Sequence, residues 1–594
     1  MRTSIATVCL SGDLVQKLRA CADAGFDGVE IMDADLIAAD ESPEEIRALC
    51  DRLRLTIDLF QPFRDVEGVA PDVFERTLRR AESKFAVMRR LGATTMLVCS
   101  NAGTATDGDD ATAARQLGAL ADAAAPHGIR IAYEALAWGR FVNDYRHAWR
   151  LVELADRPNL GTCLDSFHIL SRGHDPAEIE DIPGEKIYFL QLADAPSLDM
   201  DVLSWSRHHR LFPGEGSFAL VDFLGHVWRA GYDGPLSLEV FNDTFRQTDV
   251  SRTAAHARRS LAWLADRTAA QLGWDDGQVG GAQVPTGFDF VEVGGAALDD
   301  VDQALGQLGF TFRGRHRSKP VRLWTAGDAR IILNEQVRDQ TTRVTGVGLT
   351  VPDADAAAER AFALGAPQAY RRTYTGEQVL RAAASPDGTE VYWNDPSPEK
   401  DWESEFIGGE DRPGPLRGVV DHVNIGYPWH EFEEALLFAG SALALTPEPV
   451  SEVPGPMGLL RSQVMRTADG SVRLPMNLAP PTAPVPWRHI AIRCADVLDA
   501  ARRARSAGLP LLQVPDNYYD DIDAQFGDLM EPGLLDELRE NHLFYDRDGD
   551  AEFIHLYSQV HGSVFFELVE RRRGYDGYGA ASAPVRMAAQ RRSA

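Results

Sequence analysis

Residues 1 to 274 alternate short runs of apolar and β-branched residues with longer stretches whose apolar positions recur every three or four residues. Those are the periods of buried strands and of amphipathic helices. The first run, TSIATVCL at 3 to 10, leads into DLVQKLRACADAGF, a helical pattern that stops at a glycine. Seven more runs follow: GVEIM at 28 to 32, LTIDLF at 55 to 60, TTMLVCS at 94 to 100, IRIAYEA at 129 to 135, NLGTCLD at 159 to 165, KIYFLQL at 186 to 192 and PLSLEVF at 235 to 241. Helical stretches such as VFERTLRRAESKFAVMRRLG and TAARQLGALADAAAPHG lie between them. Eight strand-helix units with nearly continuous apolar strands predict an α/β fold, a (β/α)₈ TIM barrel over 1–274.

The pattern then changes. DDGQVGGAQVPTG is rich in glycine and has no apolar period, so residues 275–286 read as a linker. Beyond it, FDFVEVGG, DDVDQALGQLGF, FTFRGRHR, VRLWTAG and ARIILNEQ spell one βαβββ unit. VTGVGLTVPDADAAAERAFALGA, VVDHVNIGY with EFEEALLFAGSALAL, and WRHIAIRCADVLDAARRARSAGLP open three more imperfect copies. Residues 287–594 are therefore expected to be an α+β domain of four such modules, paired as 287–400 and 415–580 around shared clefts.

Composition narrows the partners. With 60 Lys and Arg against 89 Asp and Glu, the net charge of −29 repels phosphate-rich polymers, so nucleic-acid binding is not expected. The apolar start is too short for a signal peptide, and ALLFAGSALAL at 435 to 445 falls short of the ~18 residues of a membrane span. A cytoplasmic chain with no membrane partner is the expectation. Six cysteines without a CxxC pair read as buried free thiols, not as disulfides or structural zinc ligands.

Barrel chemistry sits at the C-terminal ends of the strands, where polar residues need explaining. Glu134, Asp165 and Glu239 end the fifth, sixth and eighth runs, and Gln191 lies in the seventh. Carboxylates gathered in an apolar mouth repel one another unless a cation neutralises them. Hard oxygen donors suit Mg²⁺, Mn²⁺ or Co²⁺, with zinc still open; the alternative is that these groups bond to arginine or to loop amides. His168, Arg210 and Arg64 follow strands at the same rim, and arginine beside a metal points to an anionic substrate. In the second half, His422 and His489 occupy the first strands of two copies and Glu567 lies in the last strand. Two histidines and a carboxylate are the facial set of non-haem Fe²⁺, or of another divalent metal.

FQPFRDVEG, AYEALAWG, LDSFHIL, FLQLADAP and RLFPGEGSF resemble the sugar-phosphate isomerase/epimerase-like barrels, most closely the bacterial 3-dehydroshikimate dehydratases. The resemblance implies a metal held by Glu134, Asp165, Gln191 and Glu239, with His168, Arg210 and Arg64 around the substrate. Gln191 stands where relatives carry histidine. The implied reaction takes the C4 proton α to the C3 ketone of 3-dehydroshikimate, expels the C5 hydroxyl and yields protocatechuate, within quinate and shikimate catabolism. His168 is the expected base, and Ser206 or a metal-bound water the expected donor to the leaving hydroxyl. A metal-dependent isomerase or epimerase acting on a sugar or polyol is the alternative. From about 287 to 578 the chain resembles 4-hydroxyphenylpyruvate dioxygenases, of the vicinal-oxygen-chelate superfamily, through VDHVNIG, RLPMN, RHIAIRC and FFELVERRRGYDGYG. Its GYGAASAPVRM and FIHLYSQ depart from that family where substrate recognition would lie. The second half is thus expected to be an Fe²⁺ dioxygenase for an aromatic or 2-oxo acid, or a retired module that stabilises the barrel or joins copies of the chain into a homo-oligomer.

Overall fold

The computed structural model describes residues 2–274, 279–296, 298–396, 401–410, 412–456, 458–479 and 486–593. The start of the expected linker, 275–278, lies outside them. The chain divides into two compact units, Met1–Gln278 and Val279–Ala594.

In the first unit, β1 (Thr3–Ala6), β2 (Gly28–Met32), β3 (Thr56–Phe63), β4 (Thr95–Cys99), β5 (Arg130–Glu134), β6 (Leu160–Asp165), β7 (Ile187–Leu192) and β8 (Leu236–Leu238) form a closed barrel in sequence order. All are parallel, and β8 returns to pair with β1. Two runs are shorter than the pattern predicts. β1 stops because the Thr7 hydroxyl, instead of a backbone carbonyl, accepts the Met32 N–H at 3.1 Å, and Thr7–Cys9 turns into a 3₁₀ helix. β8 stops because the Val240 N–H goes to the Cys9 sulfur, so Glu239 follows the strand instead of ending it.

The surrounding helices start where the sequence supplies caps. Asp13 and Gln16, and Ser42 and Glu45, form reciprocal capping boxes, and Asp249 caps the helix Val250–Leu272. That helix buries Ala254, Ala257, Leu261 and Leu264 on one face, and each fully buried leucine contributes roughly 2 kcal/mol.

The second unit consists of two curled sheets, each made from two repeats. In the first sheet Gly287–Gly294 pairs antiparallel with Arg343–Thr350; in the second, Gly418–Tyr427 pairs antiparallel with Arg488–Cys494. Parallel neighbours flank each central pair, Ala329–Asn334 and Glu390–Asn394 in the first sheet, Arg473–Leu478 and Val564–Arg572 in the second. This is the architecture of vicinal-oxygen-chelate modules. All six cysteines are buried and unpaired, and among the described residues no helix is long and apolar enough to cross a membrane.

Candidate active site and metal centres

At the barrel mouth, Asp165 closes β6 and its Oδ1 accepts the N–H groups of Phe167 at 2.6 Å and His168 at 3.3 Å. This caps the short helix Ser166–Leu170 and swings His168 back over the strand ends. The His168 Nε2 lies 3.7 Å from Asp165 Oδ2 and 3.9 Å from Glu134 Oε1, with the edge of Trp138 against its ring. A donor faces each ring nitrogen, the Ala137 N–H at 3.2 Å from Nδ1 and the Arg210 Nη2 at 3.3 Å from Nε2, and the neutral imidazole accepts from only one of them at a time. Burial, helped by Arg210 and opposed by Asp165, pushes His168 down to about 4, so the ring is neutral at pH 7. A base acting at Nε2 therefore has to exchange the Ala137 bond for an N–H on Nδ1.

Arg210 is inside the site, only 1% exposed. Its Nη1 donates to Asp165 Oδ2 at 2.8 Å and to Glu239 Oε2 at 3.1 Å; its Nε and Nη2 donate to the Ser206 hydroxyl at 3.1 and 2.9 Å. The guanidinium also stacks on Phe167. Arg64 differs completely: it follows β3, is exposed at the rim, and among the described residues its guanidinium forms no hydrogen bond or ion pair.

Gln191 points to a partner that the strand pattern concealed. Its Nε2 donates at 2.6 Å to Glu30 Oε2, which also receives Gln61 Nε2 at 2.7 Å, while Ser237 donates to Glu30 Oε1. Glu30 is fully buried in GVEIM on β2, where a polar residue between apolar ones looks like ordinary alternation.

Glu30, Glu134, Asp165 and Glu239 are thus four buried acids served by one guanidinium. Burial opposes ionisation of Asp165, yet Arg210 and His168 hold it below the usual carboxylate range. Burial, with Asp165 and Glu239, drives Glu134 well up; burial against the pull of Arg210 takes Glu239 to about 7; burial and Glu239 raise Glu30. The Glu134 Oε1 is buried without a hydrogen-bond donor. Surplus negative charge, an orphaned carboxylate oxygen and a set of hard oxygen donors all fit a divalent cation.

In the second unit His422, His489 and Glu567 converge from three adjacent strands. His422 Nε2 and His489 Nε2 are 3.1 Å apart, and they lie 3.0 and 3.1 Å from Glu567 Oε2. Asp421 Oδ2 receives His422 Nδ1 at 2.8 Å and is itself clamped by Arg571 at 2.9 and 2.8 Å, the carboxylate-histidine support usual behind a metal ligand. Burial lowers His489 to about 4. It also works against the charge on His422, which Glu567 and Asp421 hold above the ordinary histidine range. Glu567 lies well below its usual value because His422, His489 and His555 outweigh its burial. Sequence reading missed Asp421, Arg571 and His555, whose Nδ1 meets Glu567 Oε1 at 2.7 Å. The signals were present: Arg571 lies four residues after Glu567, and His555 two before Tyr557, spacings that share a strand face. The donor set fits a divalent metal.

Comparison with known proteins matches the same two halves. Residues 18–267 match the xylose isomerase-like TIM barrel family, 282–401 the N-terminal hydroxyphenylpyruvate dioxygenase family, and 443–549 the glyoxalase/bleomycin resistance protein/dioxygenase superfamily. A 3-dehydroshikimate dehydratase of Pseudomonas aeruginosa is 42% identical, covering 99% of this chain and 98% of its own. One of Pseudomonas putida is 39% identical over the same shares. A solved xylose isomerase-like TIM barrel/4-hydroxyphenylpyruvate dioxygenase fusion protein superposes with a TM-score of 0.89 at 38% identity, covering 100% of this chain and 99% of that one.

Proposed function

This chain belongs to the 3-dehydroshikimate dehydratase family, and on that premise we propose that its barrel performs the dehydration with a divalent metal held by Glu134, Asp165, Gln191 and Glu239. The enzyme is a carbon-oxygen lyase that converts 3-dehydroshikimate to protocatechuate. The observation that carries the metal assignment is the mismatch of four buried acids and one guanidinium in the barrel mouth. When bound, Mg²⁺, Mn²⁺ or Co²⁺ supplies the positive charge that steadies the substrate oxygens as the C4 proton leaves. For Gln191 to join the set, its side-chain oxygen has to turn toward the carboxylates while Nε2 keeps Glu30.

Arg64, free at the rim, anchors the substrate carboxylate. Arg210 is a positioning group: it spaces Asp165 and Glu239, and Ser206 fixes its fork. His168, neutral at pH 7 and within 4 Å of two of the carboxylates, takes the C4 proton on Nε2 once its ring adopts the tautomer with hydrogen on Nδ1. Loss of the C5 hydroxyl as water, after proton transfer to it, leaves a dienone; a shift of the C6 proton makes the ring aromatic. No redox cofactor is needed. Six buried thiols and an acidic chain fit a cytoplasmic setting.

For the second unit we assign a divalent metal, Fe²⁺ by donor set, to His422, His489 and Glu567. The supporting Asp421 and Arg571 favour a working site over a retired module whose only role is to join copies of the chain. The test is to replace Glu134 by Gln and Asp165 by Asn in the full chain, then measure metal content and protocatechuate formation together. Both are expected to fall in step; undiminished turnover in either variant contradicts the barrel assignment.

A further inference from the structure

Beside the triad, the helix Ala583–Ser593 carries a cation that meets no counter-charge among the described residues. Arg586 is 9% exposed, and its guanidinium carbon lies 5.5 Å from the ring centre of Tyr557 and 5.7 Å from that of Phe565. Both rings pack against His489, at 5.9 and 4.9 Å. The side chain of Arg586 has one hydrogen bond, from Nη1 to Gln590 Oε1 at 2.8 Å, and among the described residues no carboxylate pairs with it. Arg322, Arg473 and Arg488 are as deeply buried in this unit, and each has an aspartate: Asp302, Asp576 and Asp387. An unpaired buried guanidinium is costly, so its persistence calls for an anion from outside the chain. Two more groups nearby wait for partners. Among the described residues, Gln590 Nε2 and the Tyr578 hydroxyl are buried without a hydrogen-bond partner, and the Tyr578 ring stands 5.9 Å from His422.

We propose that this site binds a catechol carboxylate: two adjacent oxygens directed to the metal held by His422, His489 and Glu567, and a carboxylate at the far end paired with Arg586. The inference rests on the metal reading of the triad. A divalent cation offset only by Glu567 leaves one positive charge, and Arg586 adds a second, which suits a ligand carrying at least two negative charges. The rings of Tyr557 and Phe565 offer flat apolar walls to an aromatic body. The barrel's own product, 3,4-dihydroxybenzoate, has this chemistry, with adjacent hydroxyls at one end of the ring and a carboxylate at the other. The second unit is thereby a receptor for what the first unit makes.

The test is calorimetric titration of the full-length, Mn²⁺-loaded protein with 3,4-dihydroxybenzoate and, separately, with catechol, alongside metal analysis of each sample. Wild type is compared with Arg586→Ala, Arg586→Lys and His489→Ala. Binding of dihydroxybenzoate that depends on position 586 is expected to weaken at least about 30-fold in Arg586→Ala and to recover in part in Arg586→Lys, while catechol binds both alike. Because the lysine variant keeps the charge, its partial recovery separates loss of the ion pair from a disturbed helix. Identical dihydroxybenzoate isotherms in wild type and both Arg586 variants, with metal content unchanged, overturn the inference. A wild-type metal content in His489→Ala instead overturns the triad reading on which it stands.

Discussion

The barrel mouth and the triad start from opposite electrostatic conditions. At the barrel mouth the buried acids outnumber Arg210, so Glu134, Glu239 and Glu30 are pushed toward their protonated forms and Arg210 does part of a cation's work. In the triad, a single carboxylate faces three histidines and is driven firmly to its charged form. A metal entering the first site competes with protons for carboxylates whose affinity for them is raised; one entering the second competes with protons at His422, which Glu567 and Asp421 hold above the ordinary histidine range. Oxygen-rich and nitrogen-rich sites thus select different ions before any substrate arrives.

A second contrast lies within the second unit. Asp289 and Asp421 are equivalent bulges, each the extra residue opposite a central partner strand, at Phe288 to Phe290 and Val420 to His422. From those bulges the registers run in parallel: Phe290 faces Gly348, which faces Tyr392, as His422 faces Ala491, which faces Glu567. Likewise Gly346 stands where His489 does. The first pair therefore holds Phe, Gly and Tyr at the three ligand positions. Phe290 packs on Tyr392 and Trp402 at 5.4 and 5.3 Å, and a Cβ at Gly348 would lie 2.5 Å from the Phe290 ring. One strand framework supports a candidate metal site or an apolar plug, and the residues at three positions decide which.

The largest expected effect breaks the first contrast. Glu239→Ala lowers dehydration by at least about 10³-fold while the metal at His422, His489 and Glu567 stays bound, which turnover and metal analysis read together. Retained turnover contradicts a shared carboxylate site. Next, Phe290→Ala empties the apolar plug and destabilises the second unit by about 3–5 kcal/mol in denaturant unfolding; a loss below 1 kcal/mol means that the plug is not what holds the sheet closed. Asp421→Asn removes the charge behind His422 and weakens metal binding there by about 10–100-fold in a competition titration, leaving the barrel metal unaffected.

The smallest effect is a pH slope. Burial, opposed by the Asn101 N–H and Tyr133, raises Glu67 to about 7. The folded chain therefore keeps a proton that the unfolded chain releases near pH 4.5. Its contribution is fully present below pH 4.5 and is lost as pH rises to 7, on the order of 3 kcal/mol over the interval and at most about 1.4 kcal/mol per pH unit. Glu67→Gln flattens thermal stability across that interval, and an unchanged slope refutes the assignment.

What could be read from the sequence follows from where polarity interrupts an apolar pattern. Glu134, Asp165 and Glu239 stand out because barrel strands are buried on both faces, and His422, His489 and Glu567 because their strands are otherwise apolar. Eight barrel strands and four modules were legible from period alone. Glu30 was not, since a single acid in a five-residue strand mimics ordinary alternation. Arg210 was placed at the rim as a substrate contact, but its depth between Asp165 and Glu239 depends on a long-range pairing that no local pattern encodes. Arg586 sits in a terminal helix with no clear apolar stripe, so nothing in its neighbours marks the buried face. The bulge at Asp421 was hidden because register is a property of two strands and not of one.

We propose that the barrel carboxylates hold the divalent metal with which the enzyme dehydrates 3-dehydroshikimate. The direct measurement strips the full-length protein with a chelator, restores Mg²⁺, Mn²⁺ or Co²⁺ singly, and follows aromatic absorbance with chromatographic identification of the product. Protocatechuate that forms only after metal is restored is the predicted result. Protocatechuate formed at full rate by metal-free protein, or no aromatic product with any of the three ions, contradicts it.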